Sequence, residues 1–253
     1  MLIAIPLFDR FTALDAVGPY EVLSRLPGAE VVFVAEQAGP VRTDTRALGL
    51  VADRTLGDVD ACDVVVVPGG PGTRALLEPH PLHDWLRAID ATTQWTTSVC
   101  TGALLLAAAG LLDGLDATTH WSALDTLADL GARPTERRVV AQRKGVDRSP
   151  TRSRGGVTGW AAGRPHHGAE GGGRAGGSGW IVTAAGVSAG IDMALWLAAQ
   201  IAGDEVAKAI QLGIEYDPQP PFDSGSVAKA SPATLELVRQ VTAARATSGD
   251  ATR

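Results

Sequence analysis

The sequence has few of the features that mark several large classes of protein. It contains only two cysteines, Cys62 and Cys100, which excludes a disulfide scaffold and a zinc site with four thiolate ligands. Its longest apolar run, around Gly102–Leu112, is far too short to cross a membrane. The opening segment MLIAIPLFDR has no basic residue before its apolar run and no cleavage pattern after it, so we interpret it as a first strand. These absences predict a reduced, cytoplasmic protein.

Positive charge is scarce outside one segment. The 253 residues carry a net charge of −6, but residues 143–179 hold seven Lys or Arg against two acids. Since that segment contributes +5, the remaining residues carry −11. An acidic body without a basic groove is not expected to bind nucleic acid.

Strand-like and helix-like segments alternate along the chain. The predicted strands are Met1–Leu7, Glu30–Glu36, Asp63–Pro68, Trp95–Val99 and Ala117–Thr119, with either a short excursion or a hairpin in Val41–Asp53. The predicted helices are Thr12–Leu26, His80–Ala91, Thr101–Leu112, Ser122–Leu130, Ser188–Ala202 and Asp204–Leu212. This alternation predicts an α/β fold with a mostly parallel central sheet and helices on both faces.

The pattern stops in residues 143–179, which contain 12 glycines in 37 residues and almost no aliphatic side chains. Such a composition cannot bury enough apolar surface to offset the entropy of ordering. Two strand-like runs flank the segment, Arg138–Gln142 and Trp180–Thr183, and would pair as a hairpin. We therefore expect one domain over residues 1–230 with a disordered insertion at 143–179, then a helix and tail at 231–253. A shift of reading frame in the gene is the alternative explanation for the insertion.

Cys100 is the strongest candidate for chemistry. It lies between a strand and an Ala/Leu-rich helix, where an open α/β fold presents side chains at the carboxyl edge of the sheet. A helix N-terminus stabilises negative charge, so we expect a lowered pKa for the thiol. The amides of Gly69 and Gly70, after the neighbouring strand, are predicted to form an anion pocket with those of the helix. Cys62 precedes its strand at the opposite edge and is predicted to be structural.

Two further side chains are candidates to act with the thiol. Asp15 follows the first strand beside an apolar helix stripe. It is either a buried carboxyl with a raised pKa that donates protons, or an exposed acid in a first helical turn. His120 is either a base for the thiol or a packing residue at a helix entrance. Histidines 80, 83, 166 and 167 have no partners at metal-binding spacing, and no metal site is predicted.

The motifs together resemble those of the DJ-1/PfpI superfamily, most closely its isonitrile (isocyanide) hydratase branch. The motifs that carry the resemblance are LDAVGPYEV (14–22), VVVVPGGPG (64–72), SVCTGALLLAAAGLLDG (98–114), ATTHW (117–121), VTAAGVSAGIDMAL (182–195) and IQLGIEYDPQPPFDSGS (210–226). The resemblance implies a flavodoxin-like three-layer sandwich with a nucleophile-elbow cysteine. The protease-like members have histidine after the cysteine, whereas this chain has Thr101, which argues against peptidase activity.

The resemblance also implies roles for single residues. Cys100 would be the nucleophile, Asp15 its carboxyl partner, and Thr101 a residue that lines the pocket. Gly70 and the Thr101 amide would bind an anion, with His120 near the thiol. The implied reaction adds water to an isocyanide to give an N-substituted formamide, without a metal or organic cofactor, in a homodimer.

Two other classes of function stay open at this point. One is a different cysteine-dependent reaction of the superfamily on a small molecule, of the glyoxalase or amidase type. The other is a non-catalytic sensor of ligands or of oxidation through Cys100. Only 23 residues follow from Ser231 onward, too few for the helix-turn-helix unit of a regulator that contains this domain.

Overall fold

The computed structural model describes residues 1–144, 157–158 and 179–250. The strands are β1 Leu2–Pro6, β2 Glu30–Ala35, β3 Gly39–Arg42, β4 Gly49–Ala52, β5 Arg54–Thr55, β6 Val64–Val67, β7 Trp95–Val99, β8 Asp116–Ala117, β9 Arg133–Pro134, β10 Val139–Arg143, β11 Val157–Thr158 and β12 Trp180–Ala184. The helices are α1 Ala13–Leu23, α2 Pro81–Asp90, α3 Gly102–Ala108, α4 Leu124–Asp129, α5 Ala189–Ala202, α6 Asp204–Gly213 and α7 Pro232–Asp250.

Eight of the described strands form one sheet in the order β11-β10-β12-β7-β6-β1-β2-β5. The strands from β12 to β5 are parallel, and β10 and β11 pair antiparallel at one side. β6 (VVVV) is buried along its whole length near the middle of this order, because helices cover both faces of a parallel sheet. The predicted hairpin in Val41–Asp53 is formed by β3 and β4.

The helices form two layers around this sheet. Helices α1, α5 and α6 pack together on one face, and α2, α3 and α4 on the other. The apolar side chains of β6, α2 and α3 belong to one buried hydrophobic cluster on the second face. The predicted α/β class, with helices on both faces of a mostly parallel sheet, is confirmed.

The predicted element bounds differ from the observed ones mainly at glycines and short pairs. Helix α3 ends at Ala108 rather than Leu112, because Gly110 adopts a φ of +76° that reverses the chain. The predicted strand at Ala117–Thr119 is shorter and pairs with β9. The two-residue strands β5 and β9 were not predicted, since such short pairs have no periodicity of their own.

The two strands that flank the Gly-rich segment pair as predicted. β10 and β12 are antiparallel, and the Lys144 N–H donates to Gly179 O at 2.8 Å. The register places Trp180 beside Trp95 at the amino end of β7, whereas Cys100 follows the carboxyl end. Both ends of the insertion therefore leave the sheet at the level of Trp95. This is about 13 Å from Val99 at the other end of β7, at four strand residues of about 3.3 Å each. Within the predicted insertion, Arg143 belongs to β10 and Val157–Thr158 form β11 on β10, so the prediction of disorder is wrong for these residues. For residues 145–156 and 159–178 the prediction lies outside the described residues.

The chain divides into two compact units, Met1–Glu215 and Tyr216–Arg253. The first contains the sheet and helices α1 to α6. The second contains α7, whose first turn is capped by Ser231: the Thr234 N–H donates to Ser231 Oγ at 3.1 Å. Within the described residues, no helix is both long and apolar enough to span a membrane.

Candidate active site

Four segments meet at the carboxyl edge of the sheet. Gly69 follows β6, Cys100 follows β7, and Ala185 follows β12, and these three strands are neighbours. Asp15 reaches the same edge from the first turn of α1, which follows the neighbouring β1. Ligand and catalytic sites of open α/β sheets form at this edge, so the fold brings together the residues predicted from the sequence.

Cys100 occupies a sharp, strained turn between β7 and α3. Its φ is +55°, in the left-handed region that non-glycine residues rarely adopt. Its N–H is shared between Ala184 O at 3.1 Å and Ala185 O at 2.9 Å, which ties the turn to the end of β12. The Thr119 hydroxyl donates to Cys100 O at 2.9 Å. Such over-determined strain is typical of catalytic positions.

Asp15 is fully buried, which decides between its two predicted environments. Oδ2 accepts a hydrogen bond from the Gly69 N–H at 2.9 Å, and Oδ1 makes none within the described residues. Burial raises the pKa of this carboxyl to about 7, although the Gly69 N–H and the Cys100 thiol lower it and the charge of Asp44 adds to the rise. Asp15 is therefore a buried carboxyl with a raised pKa, the environment of the first alternative, and its role as a proton donor stays a prediction.

Thr101 joins the glycine turn to the cysteine turn. Its Oγ1 accepts from the Gly70 N–H at 2.8 Å and lies 3.2 Å from Gly70 O. The Gly69 N–H is bound to Asp15. Both glycine amides therefore have protein partners and orient side chains of the site, which differs from the predicted anion pocket. A glycine is required at 69, because a Cβ there would lie 2.4 Å from the Thr101 nitrogen.

The expectation of a lowered thiol pKa is wrong. Burial, followed by the charge of Asp15, raises the pKa of Cys100 to about 12. The N–H groups of Thr101 and Val187 and the Thr101 hydroxyl act in the opposite direction but do not outweigh burial. A helix N-terminus lowers the pKa of a solvated thiol, whereas Cys100 is only 5% exposed here. At neutral pH the resting sulfur is protonated.

Val187 is the part of the site that the sequence reasoning missed. Its N–H hydrogen-bonds to the Cys100 sulfur, and its φ of +27° is an outlier for a β-branched residue. The motif VTAAGVSAGIDMAL carried part of the family resemblance but gave no role to this residue. No side-chain pattern reveals which backbone amide faces a thiol, so nothing in the sequence pointed to this residue.

His120 has contacts other than the thiol in this structure. Its Nδ1 lies 2.8 Å from Ser122 Oγ and accepts from the Ser122 N–H at 3.3 Å. Its ring packs against Gly186, where a Cβ would lie 2.8 Å from Cδ2. Burial, followed by the charge of Arg74, lowers the pKa of the imidazole. Among the described residues, no hydrogen bond joins His120 to Cys100.

The second cysteine is placed as the sequence predicted. Cys62 precedes β6 at the amino edge of the sheet and is buried. Burial raises the pKa of its thiol to about 12. The described ranges contain no group of three or more His, Cys, Asp or Glu side chains arranged to hold a metal ion.

Comparison with known proteins decides the family. Residues 1–149 match the DJ-1/PfpI family. The chain belongs to this family. Within it, the chain is 38% identical to the isonitrile hydratase of Pseudomonas putida over 234 residues, which cover 92% of this chain and 86% of that protein. The predicted resemblance to the DJ-1/PfpI superfamily is confirmed.

Two further relatives show the range of the family. A THiJ/PfpI family protein from Pseudomonas syringae superposes with a TM-score of 0.77 at 32% identity, covering 99% of this chain and 89% of that one. The helix-turn-helix transcriptional regulator GbdR of Pseudomonas aeruginosa is 31% identical over 129 residues, 49% of this chain and 35% of the regulator. The flavodoxin-like α/β fold of the DJ-1/PfpI family is thus shown.

Proposed function

We propose that the protein is an isonitrile (isocyanide) hydratase, a lyase that adds water to a small isocyanide and releases an N-substituted formamide. The observation that carries the proposal is the buried pair of Asp15 and Cys100, a carboxyl with a pKa of about 7 beside a protonated thiol. The identity to the Pseudomonas putida isonitrile hydratase over most of both chains supports the same reaction.

The first step consumes the thiol proton. The sulfur of Cys100 attacks the terminal carbon of R–N≡C, which accepts a soft nucleophile, and an S–C bond forms. The thiol proton passes to the ionised Asp15 carboxylate and from there to the same carbon. The product is a thioimidate, R–N=CH–S–Cys100, and Asp15 is again ionised. This carboxylate is suited to the relay, because a pKa of about 7 lets it accept and donate a proton at neutral pH.

The second step restores the enzyme. Water adds to the thioimidate carbon, with one proton going to nitrogen and the hydroxyl staying on carbon. The C–S bond then breaks, the hydroxyl proton returns to sulfur, and R–NH–CHO leaves. The sum is one isocyanide plus one water giving one formamide, so thiol, carboxyl and water suffice and no metal or organic cofactor is needed.

The remaining predicted site residues take supporting roles in this proposal. The Thr101 hydroxyl and N–H donate hydrogen bonds to the sulfur and stabilise negative charge on it during the reaction. Gly69 holds Oδ2 of Asp15, and Gly70 holds the Thr101 side chain. His120 lies at the side of the Val187 turn and is assigned to substrate binding. A cytoplasmic location and a homodimer stay predictions of the sequence.

A ligand sensor is the second candidate, because the chain is similar to part of the regulator GbdR. A sensor binds its ligand without consuming it. Turnover therefore separates the two candidates, and consumption of methylglyoxal without turnover of isocyanides would indicate a glyoxalase-type reaction instead.

The test is formamide production from cyclohexyl isocyanide by the purified protein. We expect steady turnover by the wild type and a loss of at least about 1,000-fold in Cys100→Ala, since the substitution removes the nucleophile. Cys62→Ala is the matched control, because it removes the other buried thiol from the opposite edge, and it should keep activity. A folded wild type that makes no formamide, or an active Cys100→Ala, contradicts the proposal.

A further inference from the structure

We propose that Arg74 and His120 form a subsite for an anionic group, a carboxylate, on the R substituent of the isocyanide. This inference rests on the proposed function, because it names the class of substrate that the same site takes.

Arg74 is a cation beside the site that has no hydrogen-bonding or ion-pair partner among the described residues. It lies in the 3₁₀ turn Pro71–Leu76, directly after the Gly69–Gly70 turn that holds Asp15 and Thr101. Its side chain is exposed and makes no hydrogen bond or ion pair with any other described residue. Seven other described arginines do form ion pairs with carboxylates. A guanidinium presents a planar set of donors that suits a carboxylate in two-point contact.

His120 supplies a second donor of defined orientation. The Ser122 backbone N–H can only donate, so Nδ1 of His120 is the acceptor of that hydrogen bond. The neutral ring then carries its proton on Nε2. Burial and the charge of Arg74 both favour this neutral form by lowering the pKa of the imidazole. The imidazole therefore presents an Nε2–H donor, and it is close enough to Arg74 for the positive charge of that side chain to affect its pKa.

Contacts and hydrogen bonds connect the segments of the subsite to the reacting sulfur. The His120 ring contacts Gly186, and the next residue, Val187, has its N–H on the Cys100 sulfur. The segment of Arg74 follows β6 and Gly186 follows β12, and these strands are the two neighbours of β7. The Gly70 N–H binds Oγ1 of Thr101, and the carbonyl of Ala185 accepts from the Cys100 N–H. Both donors therefore belong to segments that are hydrogen-bonded to the Cys100 turn, and a substituent on a substrate bound to the sulfur would extend towards them. Guanidinium and imidazole N–H groups bind oxygen acceptors. The positive charge of Arg74 favours an ionised carboxylate over the neutral ester of the same substrate.

The experiment compares ω-isocyanocarboxylates of one to four methylene groups with their methyl esters. In the wild type we expect kcat/KM for the acid to exceed that for the ester by about tenfold or more at one chain length at least. Arg74→Gln should lower this acid-to-ester ratio at least about tenfold, and Arg74→Lys should lower it less. Arg54→Gln removes the same charge from the strand β5 at the far side of the sheet, where Arg54 pairs with Glu30, and should keep the wild-type ratio.

A second readout separates this inference from the proposed function. Calorimetry measures binding of the corresponding N-formyl amino acids and their methyl esters to the same proteins. Selective binding of the acids that is lost in Arg74→Gln supports the subsite even if no isocyanide is hydrated. Hydration without preference for the acid at any length, or a ratio that Arg74→Gln leaves within twofold of the wild type, overturns it.

Discussion

Replacing Asp15 with asparagine is expected to stabilise the folded protein at pH 8 and to remove most of the proposed hydratase activity. The carboxyl is fully buried, and the hydrogen bonds from the Gly69 N–H and the Cys100 thiol do not outweigh the cost of burying its charge. Asparagine keeps an oxygen for the Gly69 N–H and carries no charge. The chemistry loses its proton relay, which is worth about 100-fold to 10,000-fold in rate.

The sign of the stability effect follows from the raised pKa. The carboxyl has a pKa of about 7 in the folded protein and 3.8 in a solvated chain. The folded state therefore binds the proton more tightly, so the stabilisation is complete below pH 3.8 and is lost as pH rises through 7. Three units correspond to at most about 4 kcal/mol. The asparagine side chain does not titrate. As pH rises, the free energy of unfolding of the wild type should therefore fall relative to that of Asp15→Asn.

Urea unfolding of both proteins between pH 4.5 and pH 8 measures this difference. Glu21→Gln, which removes an exposed acid of the same helix that pairs with Arg25, is the control and should not show the gain. A constant difference between Asp15→Asn and the wild type across the pH range would show that Asp15 is not the buried group described here.

Replacing Gly102 with alanine is expected to destabilise the fold by about 3 kcal/mol or more, which corresponds to a fall in Tm of about 6–12 °C. A Cβ at this position would lie 2.1 Å from Val67 O and 2.8 Å from Pro68 O. Both atoms belong to backbone at the end of a central strand, which cannot move aside as a flexible side chain does. Helix α3 would be pushed away from the sheet and would carry Cys100 and Thr101 with it.

Thermal unfolding followed by circular dichroism measures the effect of Gly102→Ala. Gly213→Ala is the control at the end of α6, where an added Cβ meets no atom within 4 Å, and its Tm should stay within about 2 °C of the wild type. Equal melting temperatures for Gly102→Ala and the wild type would contradict the close approach of helix and strand.

The fold could be predicted from sequence where a periodic signal is long. The run DVVVV predicted a central strand, and the segment Trp95–Val99 was predicted with the observed bounds. The convergence of Asp15 and Cys100 also followed, since carboxyl ends of parallel strands share one edge. The pairs of two residues at β5 and β9 carry no such signal and were missed.

The electrostatics of the site could not be predicted from the same residues. A cysteine at a helix start predicts a lowered thiol pKa, but depth of burial reverses the sign and is a property of the whole packing around it. The sequence likewise identified Gly69 and Gly70 but not the partners of their amides. Hydrogen bonds of the backbone, such as the one from Val187, depend on a loop conformation that side-chain identities do not determine.

The central claim is that the Cys100 sulfur bonds to the isocyanide carbon during turnover. Rapid acid quench of the working enzyme, followed by mass spectrometry of the intact chain and its peptides, tests it most directly. We expect an adduct with the mass of the whole isocyanide on the peptide of Cys100, which forms before steady turnover and is absent in Cys100→Ala. Formamide production with no adduct at any time, together with retained activity in Cys100→Ala, would contradict it.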